Sequence, residues 1–208
     1  DIETITVNGQ EKTLTDTITI TGNTVITVTC KKSYKLTTTA NTQYINTLIT
    51  PRPGIRVKYN CKIGYSSDNN IFGAEDNTVA NRFNVYLYNT AELYYYTSAG
   101  FPYANVTEWR DDYNEYETKA DGLYINGIRR IAQTNPINAY NLPIYIFNCN
   151  KNNSRRGLTN IGTSMKFFYI YDSDGTLLFK GDAAEDNNGV LCMYDSISNK
   201  YFYLDGTN

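Results

Sequence analysis

The chain has 208 residues, with 19 Lys plus Arg against 21 Asp plus Glu, a formal charge of −2 and no His. That balance leaves no global basic field to draw in nucleic acid or an anionic membrane, and without imidazole Ser-His-Asp and Cys-His catalysis and the commonest zinc ligand are excluded. No run approaches the ~18 apolar residues of a membrane-spanning helix, so no membrane insertion is expected.

The chain opens on Asp1, without Met, and no basic stretch precedes an apolar leader. The expectation is a processed or excised part of a longer polypeptide. The first segment, "ETITVNGQEKTLTDTITITGNTVITVTCKK", is Thr-rich and nearly free of aromatics, with short Ile/Val alternations around Asn8-Gly9 and Gly22-Asn23. It reads as a small β lead-in unit, residues 1–36, ahead of a main domain, residues 37–208. Through the main domain, runs of four to eight residues alternate apolar and polar between turn residues, the period-two mark of half-buried strands. An all-β protein is expected, with at most a short turn of helix.

"FNVYLYN" sets Phe83, Val85 and Leu87 on one face and Asn84, Tyr86 and Tyr88 on the other. "LYYYTSAGFPYANVTEW" then packs Tyr94, Tyr95, Tyr96, Phe101, Tyr103 and Trp109 into one stretch. Three consecutive tyrosines cannot all point inward on a strand, so part of this set is presented outward. An aromatic face beside Asn and Asp suits a sugar, whose C–H faces stack on rings, and suits a protein interface equally. These six residues are the candidate ligand-binding or interface set.

"EWRDDYNEYE" holds the densest carboxylates: Glu108, Asp111, Asp112, Glu115 and Glu117. Glycoside hydrolysis needs two carboxyls facing each other across a sugar bond. On a strand, Glu115 and Glu117 share a face with Lys119 while Tyr116 and Thr118 share the other, which describes an exposed sheet face and no catalytic pair. No enzyme and no catalytic residue are expected, a jelly-roll glycoside hydrolase being the lesser alternative. "GLYINGI" places Leu123 and Ile125 inward, Tyr124 and Asn126 outward, and turns at Asn126-Gly127. "MKFFYIYDSDGTLLF" sets Met165, Phe167, Tyr169 and Tyr171 on one side before turning through Asp172 to Gly175. Oxygen-rich turns can hold Ca²⁺, which makes Asp172 and Asp174 a speculative site, but two carboxylates fall short of six to eight oxygens and the turn alone is the preferred reading. "EDNNG" (Glu185 to Gly189) carries the same ambiguity. No other cofactor is implied. The paired arginines, Arg129-Arg130 and Arg155-Arg156, read as solvated loop charges. Cys30, Cys61, Cys149 and Cys192 form no C-x-x-C unit and each adjoins an apolar strand pattern, so they read as buried free thiols, with a disulfide between two strands as the open alternative.

An ordered set of segments points further. "NTQYINTLITPRPGIRVKYNCKIG" is similar to the opening "TQYI-T-I-P … R-V-Y" strands, "NIFGAED" to the "FGA" segment and "DGLYING" to the "VYING" hairpin of one module class. "LPIYIFNCN" stands for its "LYLFARN" strand, and the run from Met165 to Tyr203 for its closing block. From about Asn41 the chain thus resembles the concanavalin A-like, laminin G-like jelly-roll modules of bacteriophage structural proteins and bacterial surface proteins. One departure is "KGDAAE" (Lys180 to Glu185) in place of "RDFIPC", a less apolar strand whose pairing is in question.

The resemblance implies a two-sheet antiparallel jelly-roll sandwich in which alternate side chains of the closing strands, such as Leu191, Met193 and Phe202, fill the space between the sheets. It implies a structural or adhesive domain of a phage particle, a capsid decoration or a head-fibre or tail-fibre component, at the virion surface. Its partners would be other virion proteins or host surface polysaccharide, most readily as a homo-oligomer. The alternative it implies is a carbohydrate-binding domain of a bacterial cell-surface or secreted protein.

Overall fold

The structure is a computed structural model describing residues 2–7, 10–12, 26–30, 33–40, 42–64, 69–76, 78, 81–89, 91–98, 100–105, 112–156, 158–159 and 161–204; side chains are described from Ser33 onward, except at 69, 155–156 and 158–159. The chain divides into two units, Asp1–Tyr34 and Lys35–Asn208. In the first, β1 (Ile2–Val7) lies between β2 (Gln10–Lys12) and β3 (Ile26–Cys30), antiparallel to both.

The second unit contains β4 (Leu36–Thr37), β5 (Ile45–Asn46), β6 (Arg56–Lys62), β7 (Asn69–Glu75), β8 (Arg82–Tyr88), β9 (Glu92–Thr97), β10 (Tyr103–Asn105), β11 (Asn114–Lys119) and β12 (Gly122–Ile125). It continues with β13 (Ile128–Ala132), β14 (Tyr145–Ile146), β15 (Cys149–Lys151), β16 (Ser154–Arg156), β17 (Leu158–Thr159), β18 (Ser164–Tyr171), β19 (Leu177–Glu185), β20 (Leu191–Asp195) and β21 (Lys200–Phe202). No helix occurs among the described residues. One sheet runs β13-β12-β11-β6-β18-β19-β20-β21, with β4 also on β18. The other runs β10-β9-β8-β7-β14-β5 and carries β15, β16 and β17 off that path. Pairing is antiparallel throughout, except that β15 and β17 lie parallel to β7. The two sheets form a sandwich.

Alternation builds its core. On β6, Val57, Tyr59 and Cys61 are buried while Arg56, Lys58, Asn60 and Lys62 turn out. On β8, Phe83, Val85 and Leu87 point in as the alternation requires. Phe72 of the second sheet inserts between Tyr59 and Phe168 of the first, with ring centroids 5.5 and 5.3 Å away in edge-to-face geometry. Tyr59 and Tyr116, opposite each other on β6 and β11, stack at 5.0 Å. The β12–β13 turn has the left-handed φ of 51° at Asn126 and 78° at Gly127 that a two-residue hairpin of this type needs.

Three expectations on strand phase and pairing change. Met165 does not share a face with Phe167, Tyr169 and Tyr171: a register shift between Met165 and Phe167 inserts an extra residue, so Met165, Phe168 and Ile170 are buried while Phe167, Tyr169 and Tyr171 face out. A bulge resets the period, and alternation read through it assigns the wrong face. Leu191 does not fill the space between the sheets. It is 47% exposed at the start of β20, beside a shallow depression lined by Leu36, Val190, Tyr203 and Leu204, whereas Met193 and Phe202 are buried. The stretch Lys180 to Glu185, whose pairing was in question, lies within β19: Lys180 to Asp182 pair with β18, and Gly181 to Glu185 pair with β20. Small residues suit it there: a Cβ at Gly181 would lie 2.5 Å from Phe179 and 2.6 Å from Met193.

Cys61, Cys149 and Cys192 are buried thiols that form no disulfide. Burial pushes the Cys192 thiol up to about 11 and the Cys61 thiol higher still. The Cys30 side chain lies outside the described residues.

Candidate binding site

The hairpin β8–β9 builds the site. Turn residues Asn89 and Ala91 close it, the Ala91 amide donating to the Tyr88 carbonyl, and the register sets Tyr86 opposite Tyr94 and Asn84 opposite Tyr96. The edge strand β10 then places Tyr103 opposite Tyr94 on its other side. Because Phe83, Val85 and Leu87 take the inner face of β8, Tyr86 and Tyr88 must take the outer one; Tyr94 and Tyr96 follow on β9.

Six rings result in one connected surface. Tyr94 lies at its centre, 5.0 Å from Tyr103, 5.7 Å from Tyr96, 6.1 Å from Tyr88 and 6.5 Å from Tyr86 between centroids. Phe101 extends the surface past Tyr96 at 6.0 Å. Tyr86, Tyr88, Tyr94, Tyr96 and Phe101 line a groove of about 400 Å³. Polar groups adjoin these rings: the Tyr94 hydroxyl donates to Glu92 Oε2 at 3.0 Å, and the Arg82 guanidinium lies 5.9 Å from the Tyr96 ring centre. Desolvation by the neighbouring rings, then the bond to Glu92, push the Tyr94 hydroxyl up to about 12. It is a neutral donor across the physiological range.

Of the residues singled out from the sequence, Tyr94, Tyr96, Phe101 and Tyr103 come together here. Tyr95 does not: strand alternation turns it to the opposite face, where it is 1% exposed and packs 6.4 Å from Phe83. Trp109 lies outside the described residues. Tyr86 and Tyr88 belong to the surface and were not joined to it, although the short spacer between "FNVYLYN" and "ELYYYT" is a hairpin signal that pairs them with Tyr94.

The other candidates resolve differently. Glu115 and Glu117 share an outer face of the first sheet with their cations: Lys58 meets Glu115 at 3.0 Å, Lys119 meets Glu117 at 3.1 Å and Arg56 meets Glu117 at 3.5 Å. Asp112 accepts from the Tyr113 amide, and Glu108 and Asp111 lie outside the described residues. Both oxygens of Asp172 are taken by Arg52, at 3.0 and 2.6 Å, and Asp174 accepts from the Thr176 amide. In the "EDNNG" turn, Asp186 accepts from the amides of Asn188 and Val190 and from the Tyr203 hydroxyl. Among the described residues no group of three or more Cys, Asp or Glu is placed to hold a metal ion.

No family model matches the chain, and no curated protein matches it.

Proposed function

We propose that this chain is a non-enzymatic adhesive module of a phage particle, a concanavalin A-like jelly-roll domain at the virion surface that holds host polysaccharide in its aromatic groove. One observation carries the reading: a groove lined by five aromatic side chains, four of them tyrosine, on the outside of a sheet whose core is already filled from the other face. Ring faces stack on the C–H faces of a pyranose, and phenol hydroxyls hydrogen-bond at its edge. Lining of this kind suits a hydroxyl-rich ligand better than an aliphatic one. Ion pairing of Glu115 and Glu117 on an open sheet face supports the non-enzymatic part. The phage setting rests on the order of sequence segments alone; the same groove would serve a bacterial surface or secreted protein.

A second reading has its own observation. Phe101 and Tyr103 are each 56% exposed beside the short edge strand β10, where a second copy or another virion protein could add its surface. A glycan array on the purified chain, read beside its mass by light scattering, separates the two. Retention lost in Tyr94→Ala and Tyr88→Ala supports the polysaccharide reading; no retention, with an oligomer that the same variants dissociate, replaces it with assembly.

A further inference from the structure

A second cluster on the same sheet stands apart from the groove. Glu75 ends β7, opposite Arg82 of β8 and beside Lys151 of β15. It alternates with Ala74 and so points away from the sandwich core, yet it is 1% exposed. The Tyr140 hydroxyl donates to the Ala74 carbonyl, and Phe147, in the left-handed region at φ 66°, turns the chain from antiparallel β14 into parallel β15 on the same edge of β7.

Lys151 and Asn84 both reach the Glu75 carboxylate. Lys151 Nζ lies 3.5 Å from Oε1, its side chain 41% exposed, and Asn84 Nδ2 donates to Oε2 at 3.2 Å. Asn84 is itself 1% exposed, lies over the bare Cα of Gly73, and its Oδ1 is buried without a hydrogen-bond partner. One buried carboxyl is therefore held between a primary amine and a carboxamide that come from the two strands flanking its own. Amine, amide carbonyl and a carboxyl able to carry protons between them are the parts of an intramolecular amide exchange.

We propose that Lys151 and Asn84 join in an isopeptide bond, with Glu75 as the proton carrier. The Lys151 ammonium gives one proton to Glu75. A half-turn of the Asn84 amide exchanges Nδ2 with Oδ1, so the protonated carboxyl donates to the carbonyl oxygen. The amine lone pair adds to Cγ, forming the Nζ–Cγ bond. The Cγ–Nδ2 bond then breaks, Nδ2 takes a proton from the attacking nitrogen and leaves as ammonia, and that ammonia takes the Glu75 proton and departs as ammonium. A lysine ammonium and a carboxamide become a secondary amide and ammonium, without oxidant or cofactor. The link ties β15 to β8 across β7 in a domain whose described cysteines form no disulfide.

Intact mass of the full purified chain decides this, independently of what the groove binds. The expected result is a chain lighter than its sequence by one ammonia, together with a branched peptide joining the Lys151 and Asn84 segments after proteolysis. Succinimide formation at Asn8-Gly9, Asn126-Gly127 or Asn188-Gly189 also sheds ammonia, so a light chain without the branched peptide overturns the proposal. A folded chain of full sequence mass overturns it too. Glu75→Gln and Lys151→Arg, the latter retaining a cation against Glu75, should each restore the full mass; a branched peptide that persists in Glu75→Gln overturns the role given to the carboxyl.

Discussion

Tyr94 and Tyr96, two positions apart on β9, lie with ring centroids 5.7 Å apart and planes 25° from parallel, while Tyr95 between them is sealed in the core. Adjacent residues of one type therefore carry opposite duties. Truncating Tyr94 removes the centre of the ring surface, and loss of a central aromatic contact of this kind costs about 2 kcal/mol of binding, roughly thirtyfold. Tyr94→Ala should weaken glycan retention by that order while shifting the urea midpoint little. Tyr95→Ala should instead destabilise the fold by about 3–5 kcal/mol. Paired binding and urea-unfolding curves of the two variants check the split.

The hydroxyls of Tyr59 and Tyr116 are buried without a hydrogen-bond partner, and desolvation holds both well above the usual tyrosine range. An unsatisfied buried hydroxyl costs about 1–3 kcal/mol. Tyr116→Phe, which keeps the ring stack on Tyr59, should therefore leave stability unchanged or raise it by up to about 1 kcal/mol. A measured loss by urea unfolding would count against this account of the core.

Gly73 pairs with Asn84 so closely that a Cβ there would lie 2.1 Å from the Asn84 Cβ and 2.9 Å from the Phe83 carbonyl oxygen. Gly73→Ala should push β8 from β7 and cost about 1–3 kcal/mol or more. The same displacement moves Asn84 from Glu75. Unfolding curves give the first effect, and the yield of the branched peptide gives the second.

Stability should fall at both ends of the pH scale. Backbone donors, from Val190 to Asp186 and from Thr176 to Asp174, hold these carboxyls below the ordinary range. A depressed folded pKa contributes stability that is present above the unfolded value of ~3.9 and lost as pH falls through the folded one. On the alkaline side, the hydrogen bond to Asp186, and then desolvation, raise the Tyr203 hydroxyl to about 12. That contribution is present below the unfolded value of ~10 and lost as pH climbs through the raised one. Asp186→Ala should flatten thermal melting against pH at both ends, since one carboxylate serves both bonds.

Period-two alternation was enough to read an all-β chain, the inward faces of β8 and β12, and the turn at Asn126-Gly127, because each is a local property of a strand or a two-residue loop. It was enough, too, to say that three tyrosines in a row present some rings outward. It did not choose which, since the phase of a strand follows from which face its neighbours bury. The bulge at Lys166 shows the same limit: one extra residue, invisible in composition, exchanges the buried and exposed halves of β18.

The short spacer signals a β8–β9 hairpin, but only the tertiary structure fixed the register that sets Tyr86 and Tyr88 against Tyr94, and only it brought Lys151 and Asn84 to one carboxylate from positions 67 residues apart. Sequence by itself determined which side chains alternate and where the chain can turn, because those depend on neighbours along the backbone. Which outward rings meet, and which polar groups are covered, depends on strand order, on register and on the reversal at Phe147 that sets β15 beside β7; no local period encodes them.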